Sequence, residues 1–309
     1  MTAPTPDPNE PATRGHVTRP ATPVGLWWAG ARPKTLGVAV APVLVGTAAG
    51  ALGESIRWLA AIAALVVALA LQIGVNYAND YSDGVRGTDR ARRGPVRLVG
   101  NGLASPAAVR NAAGISFAVA AVVGAALATA VNPWLLLIGL AALVAAVTYT
   151  GGPRPYGYLG LGEVMVLVFF GFVATLGSAY VQYRHIPAEA WWGALAVGLP
   201  ACAILLANNV RDVASDAVAG KQTLAVRIGA PRARLAFVFC LTGALAAVVV
   251  CGAQHPWALV AAASAPFAIV PARLVRTRLD PASLVRALVG TVRFQLVLAA
   301  LLATGLRIS

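Results

Sequence analysis

The 309-residue sequence predicts an all-α integral membrane protein with nine transmembrane helices. Three observations carry that expectation. Hydrophobic residues make up 59% of the chain and charged residues only 11%, where a soluble domain has roughly a quarter charged. The apolar residues fall into runs near the ~20 that a helix needs to cross the hydrocarbon core. Lys and Arg gather in alternate connecting segments, the pattern of a multi-span protein with its basic loops inside.

The first 23 residues, MTAPTPDPNEPATRGHVTRPATP, are rich in Pro and Thr and have no apolar core. They predict a disordered cytoplasmic tail and no signal peptide. Residues 24–309 form one membrane domain. Its spans are expected over about 35–53, 57–78, 106–131, 133–150, 161–181, 190–210, 231–253, 256–273 and 286–306. Pro106, Pro133 and Pro231 suit first helical turns. Cys202, Cys240 and Cys251 fall inside apolar runs with no metal-ligand spacing and read as small apolar filler. Trp27, Trp28, Trp191 and Trp192 fit interfacial anchoring. His16, His185 and His255 lie in the tail or on the outer side, away from the acidic motifs.

With nine spans and an inner N-terminus, the outer segments hold only Arg57, Arg184 and Arg307. Arg293 lies within the last span and is unexplained; the other twenty basic residues fall inside. The formal net charge of +13 does not point to nucleic acid, because so little of the chain lies outside apolar runs. Location in the cell's inner membrane, with the N-terminus and the active site on the cytoplasmic side, follows from this asymmetry.

Two long inner segments, about 79–105 and 211–230, carry acidic motifs. NYANDYSDGVRGTD runs from Asn76 to Asp89, and NNVRDVASD from Asn208 to Asp216. They form a weak internal repeat, with Asn-x-x-x-Asp in both, three spans apart. Residues three or four apart share a helix face. Asn76, Asp80 and Asp83 therefore make one polar stripe, and Asn208, Asp212 and Asp216 another. Asp89 lies beyond the first helix end. Five carboxylates near hydrocarbon are costly and mark function. Oxygen ligands without His or Cys favour Mg²⁺ or Ca²⁺, and Mg²⁺ keeps positions for substrate phosphates. Arg86, Arg90, Arg92, Arg93 and Arg97 follow the first stripe, and Arg211 and Lys221 flank the second. Cations among metal-binding carboxylates suit a diphosphate better than a bare cation path, although the positive-inside rule accounts for most of the arginines of the 86–97 run when it is taken alone.

At these motifs the chain resembles the UbiA superfamily of intramembrane aromatic prenyltransferases, and within it the MenA branch, which acts on 1,4-dihydroxy-2-naphthoate in menaquinone biosynthesis. The matching stretches are RPKTL (Arg32 to Leu36), NDYSDGVRGTD (Asn79 to Asp89), YTGGPRPYGYLGLGE (Tyr149 to Glu163) and NNVRDVASDAVAGKQTLAVRIG (Asn208 to Gly229). The third of these favours the branch. The resemblance implies a UbiA-type bundle around a central cavity and Mg²⁺-dependent transfer of a polyprenyl chain from its diphosphate to the naphthoate. Decarboxylation then gives demethylmenaquinol.

It also implies roles. Asp80, Asp83, Asp212 and Asp216 match Mg²⁺-diphosphate ligands, and Asp89 matches the end of the first motif. Asn76, Asn79 and Asn208 match polar groups on the same stripes. Lys221 and Arg154 are similar to diphosphate-side cations, and Arg86 follows the first cluster. The family often has Lys at the place of Arg154 and a basic residue at the place of Gln222. Two readings stand for the third stretch. It turns the chain between helices, or it caps the cavity with Tyr149, Tyr156 and Tyr158 near the ring or the cation. Glu163 is read as complementing a helix dipole. Arg32 and Lys34 read as topology anchors or as ligands of the acidic acceptor.

Two other functions remain open at this level. One is prenyl transfer to another acceptor such as 4-hydroxybenzoate. The other, of a different class, is a membrane transporter for a cation or a phosphorylated lipid.

Overall fold

The computed structural model describes residues 22–87 and 96–308, and residues 1–21 of the expected 1–23 tail lie outside the described residues. The described residues are mostly helical, with no strand among them. In chain order the helices are α1 (Pro23–Ala31), α2 (Gly37–Gly50), α3 (Trp58–Arg86), α4 (Pro106–Val131), α5 (Leu135–Thr148), α6 (Gly162–Val166), α7 (Ala174–Tyr183), α8 (Ala188–Val218), α9 (Leu224–Ile228), α10 (Ala230–Gln254), α11 (Ala265–Thr277) and α12 (Pro281–Ile308). A π-helical stretch, Leu167–Val173, joins α6 to α7 as one span, and a 3-10 stretch, Pro256–Ser264, leads into α11.

Among the described residues seven helices are long and apolar enough to cross a membrane, or eight if the bent pair Pro23–Thr35 and Gly37–Gly50 is one span. The expected count of nine is not confirmed. α5 has 14 residues, about 21 Å of helix, which is short of a ~30 Å hydrocarbon core. The first pair is bent by 54°, and within its first member Arg32 takes a left-handed backbone (φ 56°) just ahead of Pro33. α1, whose N-cap Thr22 accepts from the Gly25 N–H at 3.1 Å, precedes the first expected span.

α3 and α8 are also longer than the apolar runs that predict them. They continue through the polar motifs to Arg86 and Val218. Most of what was expected as inner loop at 79–86 and 211–218 is therefore helix.

α8 is the central pillar and packs against α10, α12 and α2. α3 and α4 pair on the other side of the bundle. Close approach depends on small residues. Gly46 and Gly50, one turn apart on α2, lie against the backbone of Thr175 and Ala179 on α7, where any Cβ would collide with a carbonyl oxygen. The three cysteines are buried and unbridged, as apolar filler requires. Arg293 is exposed and does not line the cavity described below.

Candidate active site at the polar end of the bundle

Between the α3–α4 side and the α8 pillar lies a cavity of about 490 Å³ with largely apolar walls. Its polar lining includes Arg32, Gln72, Asn76, Asn79, Tyr149 and Asn208. The asparagines of both stripes thus face one space. The aspartates stand just beyond its polar end, and all four of Asp80, Asp83, Asp212 and Asp216 are buried.

The carboxylates of Asp80, Asp83 and Asp212 each have a defined donor. Asp80 Oδ2 accepts from the Leu98 N–H at 2.8 Å and Oδ1 from the Val99 N–H at 2.9 Å. It therefore holds the returning turn at 97–101 against α3. Asp83 Oδ1 accepts from the Tyr158 hydroxyl at 2.6 Å and from Lys221 Nζ at 2.9 Å, and Arg97 Nη2 lies 3.9 Å from Oδ2. Asp212 takes a fork from its neighbour Arg211, Nε to Oδ1 at 2.8 Å and Nη2 to Oδ2 at 2.7 Å. The Asp216 carbonyl accepts from the Lys221 N–H at 2.8 Å.

Lys221 reaches Asp83 because of how α8 ends. Gly220 takes a left-handed backbone (φ 72°). Its N–H bonds the Ala217 carbonyl at 3.1 Å, while Lys221 bonds that of Asp216. This pair of bonds is a Schellman ending, which a residue free to adopt positive φ makes cheaply. The chain turns back, and the Lys221 side chain crosses to α3. Both acidic motifs are therefore at one end of the bundle, joined by an ion pair.

The connection between α5 and α6 closes over this end. Thr150 Oγ1 donates to Asn79 Oδ1 at 2.7 Å, and Ser82 Oγ donates to the Thr150 carbonyl at 2.7 Å. Arg86 donates to the Thr150 and Gly152 carbonyls at 2.8 and 2.7 Å, so two of its donors staple the loop to α3. The Gln222 N–H donates to the Tyr158 carbonyl at 2.9 Å, which ties the same loop to the second motif. Tyr158 lies between cations, with Lys221 Nζ 4.6 Å and the Arg86 guanidinium 5.4 Å from its ring centroid. Burial first, and then the charge of Asp83, pushes the Tyr158 hydroxyl above its ordinary range and keeps it a donor. Tyr149 and Tyr156 pack edge to face at 5.4 Å and line the cavity.

The sequence-predicted residues are thus divided. Asp83 and Lys221 meet, as do Asn79, Thr150 and the loop. Asn76 lines the cavity while its Nδ2 donates to the Ala31 carbonyl at 2.9 Å. Arg154 is exposed on the loop. Asp89, Arg90, Arg92 and Arg93 lie outside the described residues. Tyr158, in one of the two readings a residue near the ring or the cation, donates to Asp83. Glu163, read as a dipole complement, is buried and accepts from Asn209 Nδ2 at 2.7 Å. Gln72 was missed, although it sits one turn before Asn76 on the same stripe, a spacing that would have found it.

Among the described residues no three acidic, His or Cys side chains converge to hold a metal by themselves. The donors are hard oxygens matched by cations and N–H groups. Such a set suits a small hard cation that arrives with phosphate oxygens and needs only one or two carboxylates. It does not suit a metal caged by protein alone.

A model of the UbiA prenyltransferase family matches residues 39–300. The 1,4-dihydroxy-2-naphthoate octaprenyltransferase of Mycobacterium tuberculosis is 49% identical over 76% of this chain and 80% of its own. The enzyme of that name from Escherichia coli is 40% identical over 71% of this chain and 73% of its own. A UbiA homolog from Archaeoglobus fulgidus, solved bound to GPP and Mg²⁺, has the same fold with a TM-score of 0.63 at 16% identity, covering 89% of this chain and 99% of that one.

Proposed function

The chain belongs to the UbiA prenyltransferase family, and from that membership we propose that it moves a polyprenyl chain from its diphosphate to 1,4-dihydroxy-2-naphthoate, with loss of CO₂, to give demethylmenaquinol for menaquinone. The observation that carries the reading is the Asp83–Lys221 contact, which sets both acidic motifs at the polar mouth of one apolar cavity. The relatives named for this naphthoate supply the acceptor.

The division of the site suits the reaction. Lys221, Arg97 and Arg154 are the cations for the diphosphate oxygens, and the apolar walls take the polyprenyl tail and keep water from an allylic cation. Asp83, Asp212 and Asp216 would hold Mg²⁺, with Asp80 beside them; Asp89, the fifth expected ligand, lies outside the described residues. Bound there, Mg²⁺ neutralises charge that builds on the departing diphosphate. Asn76, Asn79 and Asn208 offer neutral donors and acceptors between the two ends.

As the C1–O bond breaks, its electron pair leaves with the diphosphate. The naphthoate carbon that bears the carboxylate attacks C1. The bond to CO₂ then breaks, and its pair restores the aromatic ring. No ring proton has to be removed, so the cavity needs no base at that carbon. Arg32, which lines the same cavity, would pair with the acceptor's carboxylate. Tyr149 and Tyr156 present ring faces and edges to the space where a cation would form.

The Lys and Arg asymmetry supports an inner-membrane protein whose N-terminus and site face the cytoplasm. The deciding experiment gives membranes one prenyl diphosphate, Mg²⁺ and several aromatic acceptors, and reads product by mass spectrometry. The naphthoate is consumed with CO₂ release. Preferred turnover of 4-hydroxybenzoate would overturn the acceptor. Metal-independent flux of the diphosphate without product would make the protein a transporter.

A further inference from the structure

The first turn of α6 keeps a carboxyl group where a spanning helix rarely has one. Acidic groups inside spans are costly and generally serve function. Glu163 is buried. Its Oε1 accepts from Asn209 Nδ2 at 2.7 Å, while Oε2 is enclosed with no partner among the described residues. A half-satisfied buried carboxyl lowers stability. Packing alone does not account for it, since an apolar side chain would fill the same volume without that cost.

The same turn is gripped from α8 at two further points. Cys202 Sγ donates to the Glu163 carbonyl at 3.2 Å. Gly162 lies so near α8 that an added Cβ would stand 3.1 Å from Leu205 Cδ2. Cys202, Leu205 and Asn209 follow one another along one face of α8 at helical spacing. What adjoins this grip lines the cavity: Gly162 and Tyr149 on one side, Leu205 and Asn208 on the other. Burial, and after it the charge of Glu163, pushes the Tyr149 hydroxyl upward. The hydrogen-bond partners of Asp80 and Asp83 described above are other groups, so the grip shares no hydrogen bond with them.

We propose that Glu163 is a positioning residue for the aromatic acceptor. By anchoring Asn209 it sets the rotation of α8 that presents Asn208, and the seat of the turn beside Tyr149, at the polar end of the cavity. It acts through Asn209 and not on the reacting atoms. The inference rests on the acceptor reading above and adds a residue to it.

The test uses the purified full-length chain in liposomes. The naphthoate is varied at saturating prenyl diphosphate, and then the reverse. Glu163→Ala lowers kcat/KM for the naphthoate by about 30-fold, chiefly through KM, and leaves KM for the prenyl diphosphate within about 2-fold, as misplacement of one binding wall requires. Glu163→Gln keeps an oxygen for Asn209 and returns activity to within about 3-fold of the parent. Asn209→Ala reproduces the Glu163→Ala defect, and the two together are no worse than either. The proposal fails if both KM values rise equally, if Glu163→Gln is as poor as Glu163→Ala, if the two changes add, or if Glu163→Ala is fully active. Should Glu163→Ala fail to fold, Glu163→Gln and Asn209→Ala decide. A parent enzyme that ignores the naphthoate refutes the acceptor reading instead.

Discussion

Lys221 Nζ stands 2.9 Å from Asp83 Oδ1, across 138 positions of chain, and both side chains are buried. This pair is the physical joint between the two acidic motifs. It also gives Asp83 a resident counter-charge, shared with Arg97 and the Tyr158 hydroxyl. A buried ion pair contributes little net stability, but breaking one side leaves an uncompensated charge and costs about 3–5 kcal/mol.

That asymmetry sets a double-mutant test. Asp83→Asn strands Lys221 and lowers the melting temperature, and it reduces turnover by on the order of 10²-fold or more through lost charge stabilisation. Lys221→Met in the same chain recovers most of the stability and none of the activity. Thermal melts and product assays on the two single changes and the double check this. Recovery of activity along with stability would mean that the pair is structural only.

Tyr158→Phe removes one donor from Asp83 and leaves the ring between Lys221 and Arg86. A hydrogen bond to a charged group contributes about 1.5–3 kcal/mol, so kcat/KM for the prenyl diphosphate should fall by roughly 10- to 100-fold. The hydroxyl titrates above its ordinary value of 10.0, owing to burial and then Asp83. Its contribution to stability is thus fully present below about pH 10 and is lost as pH rises through the folded-state value. Any alkaline limb of the parent below pH 10 should therefore survive in Tyr158→Phe. Loss of that limb in the variant would contradict the assignment.

Metal response should depend on the second ligand. Because no three acidic, His or Cys side chains converge among the described residues, Mg²⁺ alone should shift the melting temperature little, whereas Mg²⁺ with inorganic pyrophosphate should raise it through linkage. Chelation should abolish product formation, and added Mg²⁺ should restore it. A full shift with Mg²⁺ alone would show a protein-only metal cage.

Gly220 is the hinge of the α8 ending (φ 72°), and a side chain there meets open space. Any cost of Gly220→Ala is then conformational, about 1 kcal/mol. Gly220→Val strains the turn further and moves Lys221 away from Asp83, so it should raise KM for the prenyl diphosphate more than it lowers the melting temperature. An unchanged KM would separate the Schellman turn from the site.

The sequence by itself determined the class of this protein. Twenty-residue apolar runs have no stable place but a membrane or a large core. Acidic stripes at Asn76 to Asp83 and Asn208 to Asp216 declare a charged site at helix ends, because residues four apart must share a face whatever the tertiary fold. Local rules also locate the loop at Gly151 to Pro155. They do not decide length: α5 and α2 each stop at 14 residues, where hydropathy alone promised full spans. Only the tertiary structure decided which groups face one another. The pairing of Asp83 with Lys221 and Tyr158, and of Glu163 with Asn209, joins residues from separate helices and loops. Such pairings depend on the rotation and depth of packed helices, which many side chains set together and no local pattern records.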